Sequence, residues 1–161
     1  MEKNRGHISL LFWLTLSVAT SAVIFCFSAQ PAAESNGVST GFTKWLLDTL
    51  LGTYPEQTLL LLNNVMRKLA HFTIYAFLGV CLTGVYQHQH RHSKFALAVL
   101  TSAVYAALDE FHQSFVPGRG PQVTDVLLDT AGAATGALVM AGALLLLGRN
   151  YQKKAKDNET E

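Results

Sequence analysis

The chain has 161 residues, of which 50% are hydrophobic and only 14% charged, against about 25% charged in a typical soluble domain. A net charge of +1 offers no concentrated basic face, which excludes nucleic acid as a partner. The length suits one domain, and the shortage of charge points to a lipid bilayer as its surroundings.

Residues 1–7 form a short tail carrying Lys3 and Arg5. Residues 8–27 (ISLLFWLTLSVATSAVIFCF) supply the roughly 20 mostly apolar residues that a spanning helix needs. The alternative is a signal peptide, with Lys3 and Arg5 as its basic region and the small residues of Ser28-Ala-Gln-Pro-Ala-Ala-Glu34 for cleavage. The apolar run exceeds the usual ~7–15 residues of such a segment, which favours retention. Residues 35–40 (SNGVST) read as a solvated linker. Residues 41–52 then mix Phe42, Trp45, Leu46, Leu50 and Leu51 with Asp48 at helical spacing, the pattern of a helix lying in the headgroup zone. Thr53-Tyr-Pro-Glu56 resembles a capping box. It is expected to start a long helix that runs through Leu59–Asn64 into a second span at 66–86, interrupted by His71.

A third span is expected at 95–111, reaching sufficient length only if Asp109 and Glu110 sit at the membrane edge. The fourth occupies 126–147, with Asp129 near its start; Gly148 and Arg149 end it, and residues 148–161 form a polar tail expected to be disordered. The fold class is therefore all-α and integral to the membrane. Four transmembrane helices and an interfacial helix would form one domain over 8–147. Cys26 and Cys81 both lie in apolar segments and read as packing residues.

Lysine and arginine favour the cytoplasmic side. With the N-terminus inside, that side holds Lys3, Arg5, Arg91, Lys94, Arg149, Lys153, Lys154 and Lys156, and the outer side holds Lys44, Arg67, Lys68 and Arg119. Eight against four accounts for all 12, so both termini are expected inside. The histidines of His88-Gln-His-Arg-His92 then occupy a basic cytoplasmic turn, with loose metal binding as the alternative. Gln30, Arg67, Lys68, His71, Asp109, Glu110, His112, Gln113, Arg119, Asp125 and Asp129 all fall at outer helix ends or in outer loops.

Charge beside hydrocarbon is expensive, which makes this outer set the candidate site. Residues three and four apart share a helix face. Arg67, His71 and Tyr75 thus form one stripe with Lys68 beside it; Asp109, His112 and Gln113 form another, and Asp125 and Asp129 a third. Gly132-Ala-Ala-Thr-Gly136 is a GxxxG sequence suited to close helix packing. Val116-Pro-Gly-Arg-Gly-Pro121 is a turn that brings Arg119 back towards the carboxylates. There Arg119 either pairs internally with an aspartate or, by its guanidinium fork, holds the phosphate or carboxylate of a ligand.

Catalysis is a further possibility, with His71, Asp109 and Glu110 as candidates. His71 and His112 with two aspartates could hold a divalent metal, or one carboxylate could act as an acid with a histidine as base. The H-E-x-x-H, G-x-S-x-G, Walker and G-x-G-x-x-G patterns are all missing from the sequence.

Four pieces in register carry a family resemblance: Phe27-Ser-Ala-Gln30, Arg67-Lys-Leu-Ala-His71 with Tyr75, Asp109-Glu-Phe-His-Gln113 leading to Pro117-Gly-Arg119, and Asp125-x-x-x-Asp129-x-x-Gly132. Together they resemble the VanZ-like family from Phe27 to about Leu145. The family pattern often has asparagine where this chain has Thr130. The resemblance implies a small bacterial multi-pass membrane protein, and the founding member is linked to teicoplanin resistance. It also implies a cytoplasmic-membrane location and a lipid-linked envelope precursor or a lipoglycopeptide as partner. The rival expectation is a membrane-embedded hydrolase or transferase acting on a lipid-linked envelope substrate.

Overall fold

A computed structural model describes residues 2–159, which are built from helices, turns and loops. The helices are α1 (Glu2–Ser28), α2 (Ala32–Leu50), α3 (Glu56–Val85), α4 (Arg91–Gln113) and α5 (Val123–Glu159). Three stretches are long and apolar enough to cross a membrane: His7–Ser28, Glu56–Val85 and Val123–Gly148. Helix α4, expected as a further span, falls outside this group. The polar residues at its ends, Asp109 and Glu110 above all, lower its mean hydropathy.

Apolar and polar residues are distributed as lipid would demand. Leu11, Phe12 and Val18 on α1 and Leu138, Val139 and Leu146 on α5 are exposed, whereas Asp109, Glu110, Gln113 and Asp129 are buried. In water this would leave a large apolar surface uncovered. In a bilayer the same surface is solvated by acyl chains, and the polar groups are the ones that must find partners.

Helices α3 and α5 make the tightest contact. A Cβ added at Gly132 or Gly136 of α5 would overlap the backbone carbonyl of Phe72 or Ala76 on α3. One added at Gly79 of α3 would overlap the carbonyl of Ala133 on α5. The contact is thus reciprocal, with glycines on both helices letting the backbones touch. Around it, Ile24, Tyr75, Leu78, Leu82, Ala98, Ala106 and Ala137 form the apolar core. Helix α1 joins through Trp13, whose indole lies where a side chain at Gly84 would stand. Tyr105 of α4 adds a hydroxyl bond to the Ser21 carbonyl of α1 (2.6 Å).

Three boundaries differ from expectation. Helix α2 begins at Ala32, so residues 35–40 are helical and not a linker. Their serines, glycine and threonine are weak helix formers, but tertiary contacts hold them: Thr43 and Leu47 are buried, and Asn36 accepts a bond from Arg67. Helix α3 begins at Glu56 with Pro55 in extended backbone at its N-cap and no side-chain capping bond, so Thr53 does not close a capping box. Proline fixes the boundary instead. Finally, the helix of α5 continues to Glu159 through the expected disordered tail; lysine, glutamine and alanine propagate a helix already nucleated upstream. Thr160 and Glu161 lie outside the described residues.

If α3 and α5 depend on backbone contact, bulk at Gly136 should be costly and bulk at Gly142, which has open space around it, should not. Gly136→Val is expected to lower stability by about 1–3 kcal/mol through overpacking. Gly142→Val should change it by less than about 0.5 kcal/mol. Thermal unfolding of the purified protein in detergent reads both.

Candidate functional site

The α3–α5 contact places the stripe of α3 against the acidic face of α5. Lys68 Nζ donates to Asp125 Oδ1 at 2.9 Å, with half of the lysine side chain exposed. One turn deeper, His71 Nδ1 lies 3.5 Å from Asp129 Oδ2, close but without hydrogen-bond alignment. A turn deeper again, the hydroxyl of fully buried Tyr75 has no partner among the described residues. Both Asp109 and Asp129 are electrostatic neighbours of His71 and Tyr75, so three helices contribute to one polar interior.

A second network closes the end of α1 onto α4. Ser28 Oγ donates to Asp109 Oδ2 at 2.7 Å. Gln113 Nε2 donates to the same oxygen at 3.1 Å, one helical turn along. Arg119 Nη1 donates to Gln113 Oε1 (3.1 Å), and its Nη2 donates to the Phe27 carbonyl (3.3 Å). Glu110 faces the other side of the loop, where its Oε1 accepts the Gln122 backbone N–H. The Pro117 carbonyl accepts the Ala32 N–H (3.2 Å), joining the loop to the start of α2. Gly118 makes the turn possible with a left-handed φ of 77°.

Of the contacts open to Arg119, its guanidinium bonds neutral oxygens and, among the described residues, no carboxylate. Arg67 is alike, its Nη1 donating to Asn36 Oδ1 at 2.6 Å. Among the described residues the ion pairs are Lys68–Asp125 and His71–Asp129, so neither arginine has a carboxylate in contact. Burial, and then repulsion from Arg67, holds the Arg119 pKa below the usual guanidinium value, though an arginine stays charged. Asp109 and Glu110 act on Arg119 in the opposite sense from a distance.

Two cavities meet at this place. The larger, about 420 Å³, lies between α1, α2 and α3 and has apolar walls from Ile24, Phe27, Val38, Phe42, Met66 and Ile74. Gln30, Arg67, His71 and Arg119 line it as well. The smaller, about 100 Å³, is polar, with Asn64, Arg67, Lys68, His71, Gln113, Gln122 and Asp125 around it. Arg67 and His71 belong to both.

Seven of the residues singled out from sequence therefore line a cavity. Tyr75, Asp109, Glu110, His112 and Asp129 line neither. His112 leaves the cluster and packs its ring on Phe25, with centroids 4.5 Å apart. Among the described residues no group of three or more His, Cys, Asp or Glu is arranged to hold a metal ion, and this includes the exposed histidine turn at 88–92. Sequence reasoning passed over Ser28, Asn36 and Gln122. Ser28 stood inside the Phe27-Ser-Ala-Gln30 motif, whereas Asn36 and Gln122 carried no signal.

The two kinds of polar contact should differ in worth. Ser28→Ala leaves the buried Asp109 carboxylate short of a donor and is expected to cost about 1–3 kcal/mol. Lys68→Gln breaks a half-exposed pair and should cost less than about 1 kcal/mol. Chemical or thermal unfolding in detergent compares them.

No curated protein matches the chain, and no solved structure does either. A family model described as VanZ/LLP1 matches residues 10–146, which takes in α1 from Leu10 onward, α2 to α4 and the apolar part of α5, with every residue of both cavities. The chain belongs to the VanZ/LLP1 family.

Proposed function

We propose that this chain is a multi-pass protein of the bacterial cytoplasmic membrane, with both termini inside and α4 as a fourth span. Its cavities would open at the outer face, where the protein serves the cell envelope and lowers susceptibility to teicoplanin. The observation that carries this is the pair of arginines, without a carboxylate in contact, that line an apolar-walled cavity. Such a site suits an amphiphile with an anionic group. Teicoplanin, whose acyl chain anchors it in the bilayer, and the lipid-anchored precursors on which it acts are both of that kind. For α4, the 23 residues of Arg91–Gln113 extend about 34 Å, enough for a hydrocarbon core of roughly 30 Å. Its carboxylates are buried against the bundle, away from lipid.

One arrangement favours the enzymatic alternative, a hydrolase or transferase acting on a lipid-linked envelope substrate. His71 lines both cavities with Asp129 Oδ2 3.5 Å from its Nδ1, and once that pair aligned as a hydrogen bond the carboxylate would orient the imidazole for general-base work. His71→Gln would then abolish function at an unchanged protein level.

Two measurements test the proposal. Single cysteines introduced at Ser35 and Gln89 should react with an impermeant thiol reagent from outside only at Ser35; reaction at Gln89 in intact cells would reverse the topology. Expression in a glycopeptide-sensitive host should raise the teicoplanin concentration needed for inhibition, and Arg119→Ala at a matched membrane level should remove the rise. An unchanged susceptibility with well-expressed wild type would sink resistance as this member's role.

A further inference from the structure

The large cavity, the small one, the buried carboxylates, the two thiols and the exposed face of α2 all offer features to explain. The arginines carry the argument furthest. Arg67 and Arg119 line the same 420 Å³ cavity and act on each other as like charges. Their hydrogen bonds go to Asn36, Gln113 and the Phe27 carbonyl. Those neutral acceptors orient the guanidiniums without neutralising them. Arg119 Nε is buried and has no partner among the described residues. Lys68, by contrast, is neutralised by Asp125. Two cations without a carboxylate in contact share one cavity wall, Asp109 and Glu110 offsetting Arg119 only from a distance, and an anion between them would be drawn to both.

The charge and shape of the site select among anions. A carboxylate would balance one guanidinium, whereas a phosphate monoester, which carries about −1.5 to −2 at neutral pH, balances both. It also offers three acceptor oxygens to two forks. Immediately beside the arginines the wall becomes hydrocarbon: Ile24, Phe27, Val38, Phe42, Met66 and Ile74. The volume lies within the roughly 300–1,000 Å³ of small-ligand sites.

We infer that Arg67 and Arg119 form a two-arginine receptor for the phosphate of a lipid whose acyl chain lies in the groove between α1, α2 and α3. This rests on the reading of the cavity as the working site and names the class of molecule it takes. The smaller polar chamber, lined by Asn64, Gln113 and Gln122, shares Arg67 and His71 with the groove. The start of α2 forms one wall, and its Asn36 sets the orientation of Arg67.

The test uses the full chain in detergent and native mass spectrometry with three probes: oleoyl lysophosphatidic acid, oleoyl lysophosphatidylcholine and inorganic phosphate. Wild type should prefer the phosphate monoester lipid over the choline lipid by at least about tenfold, as charge-assisted bonds to two arginines demand. Inorganic phosphate should neither bind comparably nor displace the lipid. The preference should collapse in Arg67→Gln/Arg119→Gln. Ala70→Trp, at an exposed position on the cavity wall, should weaken lysophosphatidic acid binding by blocking the groove. Equal binding of the two lipids by wild type would overturn the receptor, without reliance on any variant. Equal binding of free phosphate would overturn the lipid assignment. A teicoplanin effect without lysophosphatidic acid preference would defeat this inference alone. Preference without any teicoplanin effect would defeat the resistance role and leave the receptor standing.

Discussion

The backbone contact between α3 and α5 governs the rest of the structure. Gly79, Gly132 and Gly136 remove the side chains that would hold the two helices apart. Only at that separation can Lys68 reach Asp125 and His71 stand beside Asp129. In lipid, helices gain little from burying leucine against leucine, because acyl chains are equally apolar. Close packing and polar contacts must therefore carry association, and here one makes the other possible.

The loop between α4 and α5 is held by the same logic at the other side of the site. Ser28, Asp109 and Gln113 form a buried knot, and Arg119 is tied to it through the amide of Gln113. The loop carbonyl of Pro117 holds the first residue of α2, so the wall of the large cavity and the arginine facing it are positioned together. Asp109 thus spends one carboxylate oxygen on structure while the other, like one oxygen of Asp129, has no partner among the described residues. Such buried, partly unmet carboxylates are what proton-handling sites and ligand sites both display.

Much of this was legible in the sequence because helical spacing is a local rule. The stripe of Arg67, His71 and Tyr75, the adjacency of Asp109 and Gln113, and the close packing at Gly132 and Gly136 follow from i, i+3 and i+4 geometry. What lay beyond reach depended on long-range contacts. No local pattern could show that Arg119 would choose a glutamine oxygen and a carbonyl over the carboxylates of Asp109 and Glu110, or that Asn36 would hold Arg67 from 31 residues away. The same holds for α2, whose first turns contain weak helix formers and are kept helical by what they pack against. His112 shared a face with Asp109 by spacing alone, yet an aromatic neighbour on α1 took its ring.

Two arginines kept without a carboxylate in contact make sense if they are retained for a ligand at some expense to the empty protein, the usual compromise at a working site. The most direct measurement is the unfolding temperature of Arg67→Gln in detergent free of added lipid, beside wild type. Glutamine keeps an amide donor for Asn36 while one of two mutually repelling cations is removed, so the protein should be as stable as wild type or more so. A loss of about 1–3 kcal/mol, the range for breaking a needed polar contact, would show instead that Arg67 is structural, and the case for an anion between the two arginines would fall with it.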